Sequence, residues 1–278
     1  MIDKLQLSKF VIASLAKYIY FTLIMRIILL TQDDPFYLAQ NIDYLIKKLP
    51  KHSEVVATVV FDVSPFGKRE TFFEKLKKTY EIFGLGFFIN YGVKFVLSKL
   101  NPNKKVKNIL AKHDIPLIEI EGNINKKENL ERLKACNPDL LVSVAGNQIF
   151  KNSLINLGTE GCINLHTALL PKYRGLMPSF WVLKNNEKFT GVSVFFVDEG
   201  IDSGDIIVQK KIEIGNRTQA ELIDYTKVMG MDAILESVEK IYVGNVETIP
   251  NPNEEMTYFT FPTKEDVSDF LKAGKRFY

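Results

Sequence analysis

Apolar residues along this chain follow two rhythms. Short β-branched runs bounded by polar residues or glycine read as buried strands. They fall at 26–31, 55–63, 116–120, 138–146, 161–166, 190–197 and 206–214. Longer stretches with charge on one side read as helices. The first is capped by Asp33 or Asp34, carries Pro35 in its first turn and runs to about Leu49. Others cover 68–80, 125–136, 178–186 and 218–243, with a short piece near 263–274. Strands alternating with helices predict an α/β, Rossmann-like fold: a mostly parallel twisted sheet flanked by helices, with a short C-terminal extension. In such sheets ligands bind beyond the carboxyl ends of the strands. The run 138–146 ends in small residues, which lets a ligand approach the backbone.

Two stretches break the rhythm. Residues 10–30 are very apolar, but Lys17 and Arg26 divide them into runs 10–16 and 18–25. A bilayer-spanning helix wants roughly 20 apolar residues, and no small-residue cleavage site follows. The expected division is therefore an N-terminal extension at 1–24, the main domain at 25–243 and a Pro-punctuated tail at 244–278. Residues 82–93 carry no charge and three glycines. That segment is too short to span a bilayer. It reads as a buried helix or hairpin, or as an apolar patch for a partner or a membrane surface.

Composition narrows the class. Of 278 residues, 46% are hydrophobic and 25% charged, as in an ordinary soluble, cytoplasmic domain. Lys and Arg number 36 against 33 Asp and Glu, so nothing demands a nucleic-acid partner. Cys136 and Cys162 have no short spacing, and His52, His113 and His166 form no HxxxH pair, so no metal site is expected.

The chemistry concentrates where a core strand ends. Asn164 and His166 are two apart, so they share one strand face, while Leu165 points the other way. An Asn amide donates to a developing oxyanion. A His beside it takes or gives a proton. A carboxylate such as Asp202 would fix the tautomer of that His and raise its pKa. Together they suit attack of an amine on a carbonyl carbon. Taken singly, each has a structural explanation: a satisfied strand-end His, a turn Asn, a glycine-rich turn at 198–205.

Asn164-Leu165-His166-Thr167-Ala168-Leu169-Leu170-Pro171-Lys172-Tyr173-Arg174-Gly175 resembles the signature of the folate-dependent formyltransferases, Asn-x-His-x-Ser-x-Leu-Pro followed by an aromatic, Arg and Gly. Val197-Asp198-Glu199-Gly200-Ile201-Asp202-Ser203-Gly204 resembles the family's second element, which carries its catalytic Asp. The resemblance implies the family's Rossmann-like formyltransferase fold and N10-formyltetrahydrofolate as formyl donor, with no metal. It implies that Asn164 and His166 stabilise the oxyanion and that His166 and Asp202 manage the proton. The pterin would lie against Val144, Ala145, Gly146, Asn147 and Gln148 and against Val197, Asp198, Gly200 and Ile201, largely through backbone. One departure stands out: the family's Ser is Ala168 here.

The acceptor amine follows by elimination. Methionyl-tRNA formyltransferases carry a C-terminal β-barrel, for which 243–278 is too short. Glycinamide ribonucleotide enzymes carry a glycine-rich phosphate loop after the first strand, where this chain has Thr31-Gln32-Asp33-Asp34-Pro35-Phe36. Formyltetrahydrofolate hydrolases carry an additional N-terminal domain, for which 1–24 is too short. What remains is a nucleotide-linked amino sugar for bacterial surface glycans such as lipopolysaccharide O-antigen. Tyr173, Arg174, Met177 and Trp181 are the acceptor-side candidates, with a structural contact as the alternative for Arg174 and core packing for Trp181. A tRNA acceptor without the barrel, and a non-catalytic folate-binding protein, stay as alternatives. The apolar 82–93 patch and the tail are compatible with a homodimer.

Overall fold

The computed structural model describes residues 24–62 and 71–278. The strands are β1 (Met25–Gln32), β2 (Ser53–Phe61), β3 (Leu140–Val144), β4 (Cys162–His166), β5 (Arg174–Gly175), β6 (Phe189–Phe196), β7 (Ile206–Glu213) and β8 (Tyr258–Phe259). The helices are α1 (Leu38–Lys48), α2 (Phe72–Leu100), α3 (Val106–Lys112), α4 (Lys127–Lys134), α5 (Asn152–Ile155), α6 (Pro178–Lys184), α7 (Gln219–Tyr242) and α8 (Lys264–Lys272).

Six strands form one sheet in the order β2-β1-β3-β4-β6-β7. β2, β1, β3 and β4 run parallel, and β6 and β7 are antiparallel additions at one side. β1 lies inside this sheet, so both of its faces are covered. Ile27 and Leu29 pack on one side with Val142, Leu165 and residues of α1 and α7. Ile28 and Leu30 pack on the other with Val59, Leu141, Leu133 and Leu154. The period-2 alternation of a strand sends neighbours to opposite cores. It also explains why a parallel strand reads as a continuous apolar run.

Helix ends follow their capping chemistry. Thr218 caps α7 by accepting from the Glu221 N–H, and the Glu221 carboxylate accepts from the Thr218 N–H. Asp34 does not cap α1 directly. Its Oδ1 accepts the N–H groups of Phe36, Tyr37 and Leu38 and so shapes the turn that leads in. Asp33 instead accepts from the Val106 N–H at the start of α3.

Several expectations change. The segment 116–120 is not a strand but a bridge from Leu117 to Thr58. Pro116 offers no N–H, and only its carbonyl and the Ile118 N–H pair with Thr58. The polar stretch 101–107 leads into α3, a helix the composition did not announce. Residues 82–93 are not a hairpin but part of α2: Phe83 is buried, while Leu85, Ile89 and Val93 are exposed, as the apolar-patch alternative has it. By length and composition α2 is apolar enough to cross a bilayer, unlike the 82–93 segment alone. The expected extension at 1–24 lies outside the described residues except for Ile24, as do Val63 and the first part of the helix expected at 68–80. The tail is well organised: β8 pairs with β5, and α8 packs under α6.

Candidate active site

β4 carries Asn164 and His166 to the carboxyl edge of the sheet, and Leu165 packs into the core beneath. His166 is buried, with its Nε2 2.7 Å from the Tyr173 carbonyl. A carbonyl only accepts, so Nε2 carries the proton. The other nitrogen, Nδ1, faces Asp202 Oδ2 at 3.6 Å. Asp202 Oδ2 in turn accepts the Gly175 N–H at 2.9 Å. The ring is thus held by its far nitrogen, and the near one is placed to exchange a proton beside a carboxylate. The Asn164 amide faces the same cleft and has no hydrogen-bond partner among the described residues. An unpartnered donor at a cleft wall is what an incoming carbonyl oxygen needs.

The loops around these side chains are strained. Ala145, Tyr173, Met177 and Asp202 all hold positive φ, between 50° and 60°. Such backbone persists only where surrounding structure imposes it, and it gathers at functional sites. Gly175 is obligatory: its φ is 93°, and a Cβ there would lie 2.3 Å from the Phe259 carbonyl oxygen. Asp198 closes its loop by accepting from the Gly200 N–H and the Ser203 hydroxyl.

A cleft opens between the end of β3 and the β6–β7 loop. Of the expected folate contacts, Gly146, Gln148, Val197, Asp198, Gly200 and Ile201 line it, together with Asn164 and Asp202. Val144 is fully buried below it. Ala145 supplies the turn that follows Val144, and Asn147 donates to the Asp62 carbonyl. Gln148 is tied to the Gly122 carbonyl and the Ile124 N–H, so its side chain braces the wall. Sequence reasoning missed Ser143, Ile149, Phe150 and Phe195. Register would have revealed two of them: Ser143 and Phe195 both lie opposite Asn164 on adjacent strands.

Three of the four acceptor-side candidates are engaged elsewhere. Trp181 is buried, stacks on Phe259 and donates to the Thr260 carbonyl, so it is core. The Tyr173 hydroxyl donates to Glu187. Burial first, then that bond, pushes its pKa up to about 12. Arg174 is buried and donates to Asn253 Oδ1 and to both oxygens of Asn251. Met177 is half-buried beside them. Asn251 completes the chain by donating to the Asp202 and Gly204 carbonyls at 2.9 Å. The tail residue Asn251 therefore links Arg174 to the backbone of Asp202, and nothing in its local sequence marks it.

Residues 94–238, just over half of the chain, match the formyl transferase family. The chain belongs to that family. A methionyl-tRNA formyltransferase from Kosmotoga olearia is 36% identical over 163 residues, covering 58% of this chain and 52% of that protein. The chain spans about half the length of the curated relatives it matches. A phosphoribosylglycinamide formyltransferase from Anaplasma phagocytophilum has a similar fold, with TM-score 0.58 at 15% identity over 86% of this chain and 99% of that one. So does an N-formyltransferase from Helicobacter canadensis, in complex with folinic acid and dTDP-3-aminofucose, with TM-score 0.55 at 17% identity over 90% and 80%.

In this formyl transferase chain the loop after His166 is oriented without the family's Ser. Ala168 is fully buried in an apolar cluster with Tyr173, Phe180 and Phe83. Ser193, opposite His166 on β6, donates to the Ala168 carbonyl and accepts from the Leu170 N–H. Gln209 then donates to the Leu170 carbonyl and to the Ser193 hydroxyl. The loop around Ala168 and Leu170 is thus held by side chains of β6 and β7.

Proposed function

We propose that this chain transfers a formyl group from N10-formyltetrahydrofolate to a primary amine, and that the acceptor is a nucleotide-linked amino sugar. The observation that carries the reading is the geometry of Asn164, His166 and Asp202 at the mouth of the cleft: an unpartnered amide, and an imidazole nitrogen 3.6 Å from a carboxylate. The cleft suits a flat, partly polar ring, with Phe150, Phe195 and Val197 as apolar walls.

The folate supplies an activated formyl carbon. Asn164 donates to the formyl oxygen as it gains negative charge. The acceptor nitrogen bonds to the formyl carbon, and the bond from that carbon to N10 breaks. His166, with Nε2 fixed on the Tyr173 carbonyl, takes the proton of the attacking amine at Nδ1, and Asp202 stabilises the charge. That proton then passes to N10, and tetrahydrofolate leaves.

The sugar acceptor is supported by the fold shared with the Helicobacter canadensis protein and its dTDP-3-aminofucose complex. A second reading, methionyl-tRNA as acceptor, is favoured by the curated relatives at 36% identity. Incubation with N10-formyltetrahydrofolate and either dTDP-linked amino sugars or charged initiator tRNA separates them. Tetrahydrofolate release with the sugars alone supports the first reading, and release with tRNA alone replaces it with the second. Folate binding without turnover on either acceptor overturns both in favour of a binding protein.

A further inference from the structure

α2 is a single helix only in outline. Gly84 breaks it with φ 79° and ψ 175°. The uninterrupted piece is residues 85–100, roughly 24 Å long at the α-helical rise. That is short of the ~20 residues a bilayer crossing needs. Its two faces differ. Phe87, Tyr91 and Phe95 turn inward onto Phe277, Tyr278 and Phe36. Leu85, Ile89, Val93, Val96, Leu97 and Leu100 recur at spacings of three and four, which is one helical stripe. Each of them is 54–74% exposed.

Charge frames this stripe. Residues 72–107 hold eight lysines against Glu74 and Glu81, whereas the chain as a whole is nearly balanced, with 36 basic and 33 acidic residues. Lys94 and Lys99 flank the stripe itself, their ammonium groups lying over the rings of Tyr278 and Phe95. Lys104, Lys105 and Lys107 follow at its C-terminal end.

We propose that the outer face of residues 85–100 rests on an anionic lipid bilayer, with the helix lying in the plane of the interface. An apolar stripe flanked by lysines is the arrangement that anionic lipid favours. A second copy of this chain fits it less well, because a two-fold contact would set one lysine rim against another. Residues 1–23 fit less well too, since their three lysines against one aspartate leave a net charge of the same sign as the lysines around the stripe. Phe83, just before the Gly84 break and buried beneath the helix rather than on its outer face, shares an apolar cluster with Ala168 and Tyr173.

The test uses the full chain and two kinds of vesicle, phosphatidylcholine alone and phosphatidylcholine mixed with phosphatidylglycerol. Co-flotation is expected with the mixed vesicles only, falling roughly tenfold when the salt is raised. The variant I89S/V93S/L97S alters exposed positions, so its thermal midpoint stays near that of the wild type while flotation is lost. Protein that stays soluble with both vesicles overturns the proposal. So does a triple variant that floats like the wild type, which would assign lipid binding to another segment. A dimer in sedimentation velocity that the triple variant dissolves would assign the face to a second copy.

Discussion

Asn251 offers the sharpest test of how the tail serves the site. Its side chain makes three hydrogen bonds: two to the carbonyls of Asp202 and Gly204 and one from the Arg174 guanidinium. Asn251→Ala removes all three. A neutral bond contributes about 0.5–1.5 kcal/mol and one to a charged group about 1.5–3. Arg174 keeps the Asn251 backbone carbonyl at 3.0 Å, which offsets part of the loss. The expected cost is thus about 3 kcal/mol, a fall in Tm of about 6 °C for a chain of this size. Because the Asp202 backbone holds a strained φ of 50°, releasing it also lets the carboxylate drift from His166. A displacement of even ~1 Å is worth up to ~10²-fold in rate, so kcat falls ten- to a hundredfold while KM for folate changes little. Differential scanning fluorimetry and steady-state tetrahydrofolate release measure the two effects. Asn251→Asp is an informative companion. It keeps an acceptor for Arg174 but faces two carbonyls without a donor, so it should match the alanine variant in rate and exceed it in stability. An alanine variant with Tm within about 1 °C and kcat within about twofold of the wild type would refute the linkage.

Ser193→Ala removes the hydroxyl that holds both Ala168 and Leu170. It should cost about 1–3 kcal/mol in urea unfolding and slow turnover. Ala168→Ser, which restores the family residue, places a hydroxyl in a fully buried apolar cluster; activity should not rise, and thermal unfolding should show a loss of about 1–3 kcal/mol. Asp43 is held below the usual carboxylate range by hydrogen bonds from Lys47 and His113. Its stabilising contribution is complete above about pH 4 and drains as pH falls through the lower folded value. Asp43→Asn should therefore lower the stability measured by urea unfolding at pH 7 by a small amount, within about 1 kcal/mol, and make the loss below pH 4 shallower.

The parallel core was legible because buried strands such as β1 and β4 are apolar on both faces, and their runs stand out against polar turns. The candidate trio was legible because Asn164 and His166 share one short strand, and because the two motifs around them and Asp202 resemble the family signature; each residue alone had a structural explanation. Contacts that depend on folding were not legible. Arg174 stands in a motif that suggests a ligand contact, yet its partners are Asn251 and Asn253, nearly 80 residues later. Ser193 looks like any small strand residue until β6 pairs antiparallel with β4 and places it beside the Ala168 loop. Residues 82–93 lack charge, which left core and an apolar surface patch both open; the fold buries Phe83 and exposes Leu85, Ile89 and Val93, and periodicity alone does not say which side is covered.

The account rests on His166 as the group that moves the proton between the acceptor amine and the folate. The direct measurement is single-turnover formyl transfer, with wild type and His166→Ala compared on N10-formyltetrahydrofolate and a dTDP-linked amino sugar. Wild type should release tetrahydrofolate, and His166→Ala should be slower by about 10²–10⁴-fold with folate affinity preserved. A His166→Ala variant that transfers the formyl group at a rate within a few-fold of the wild type would contradict it.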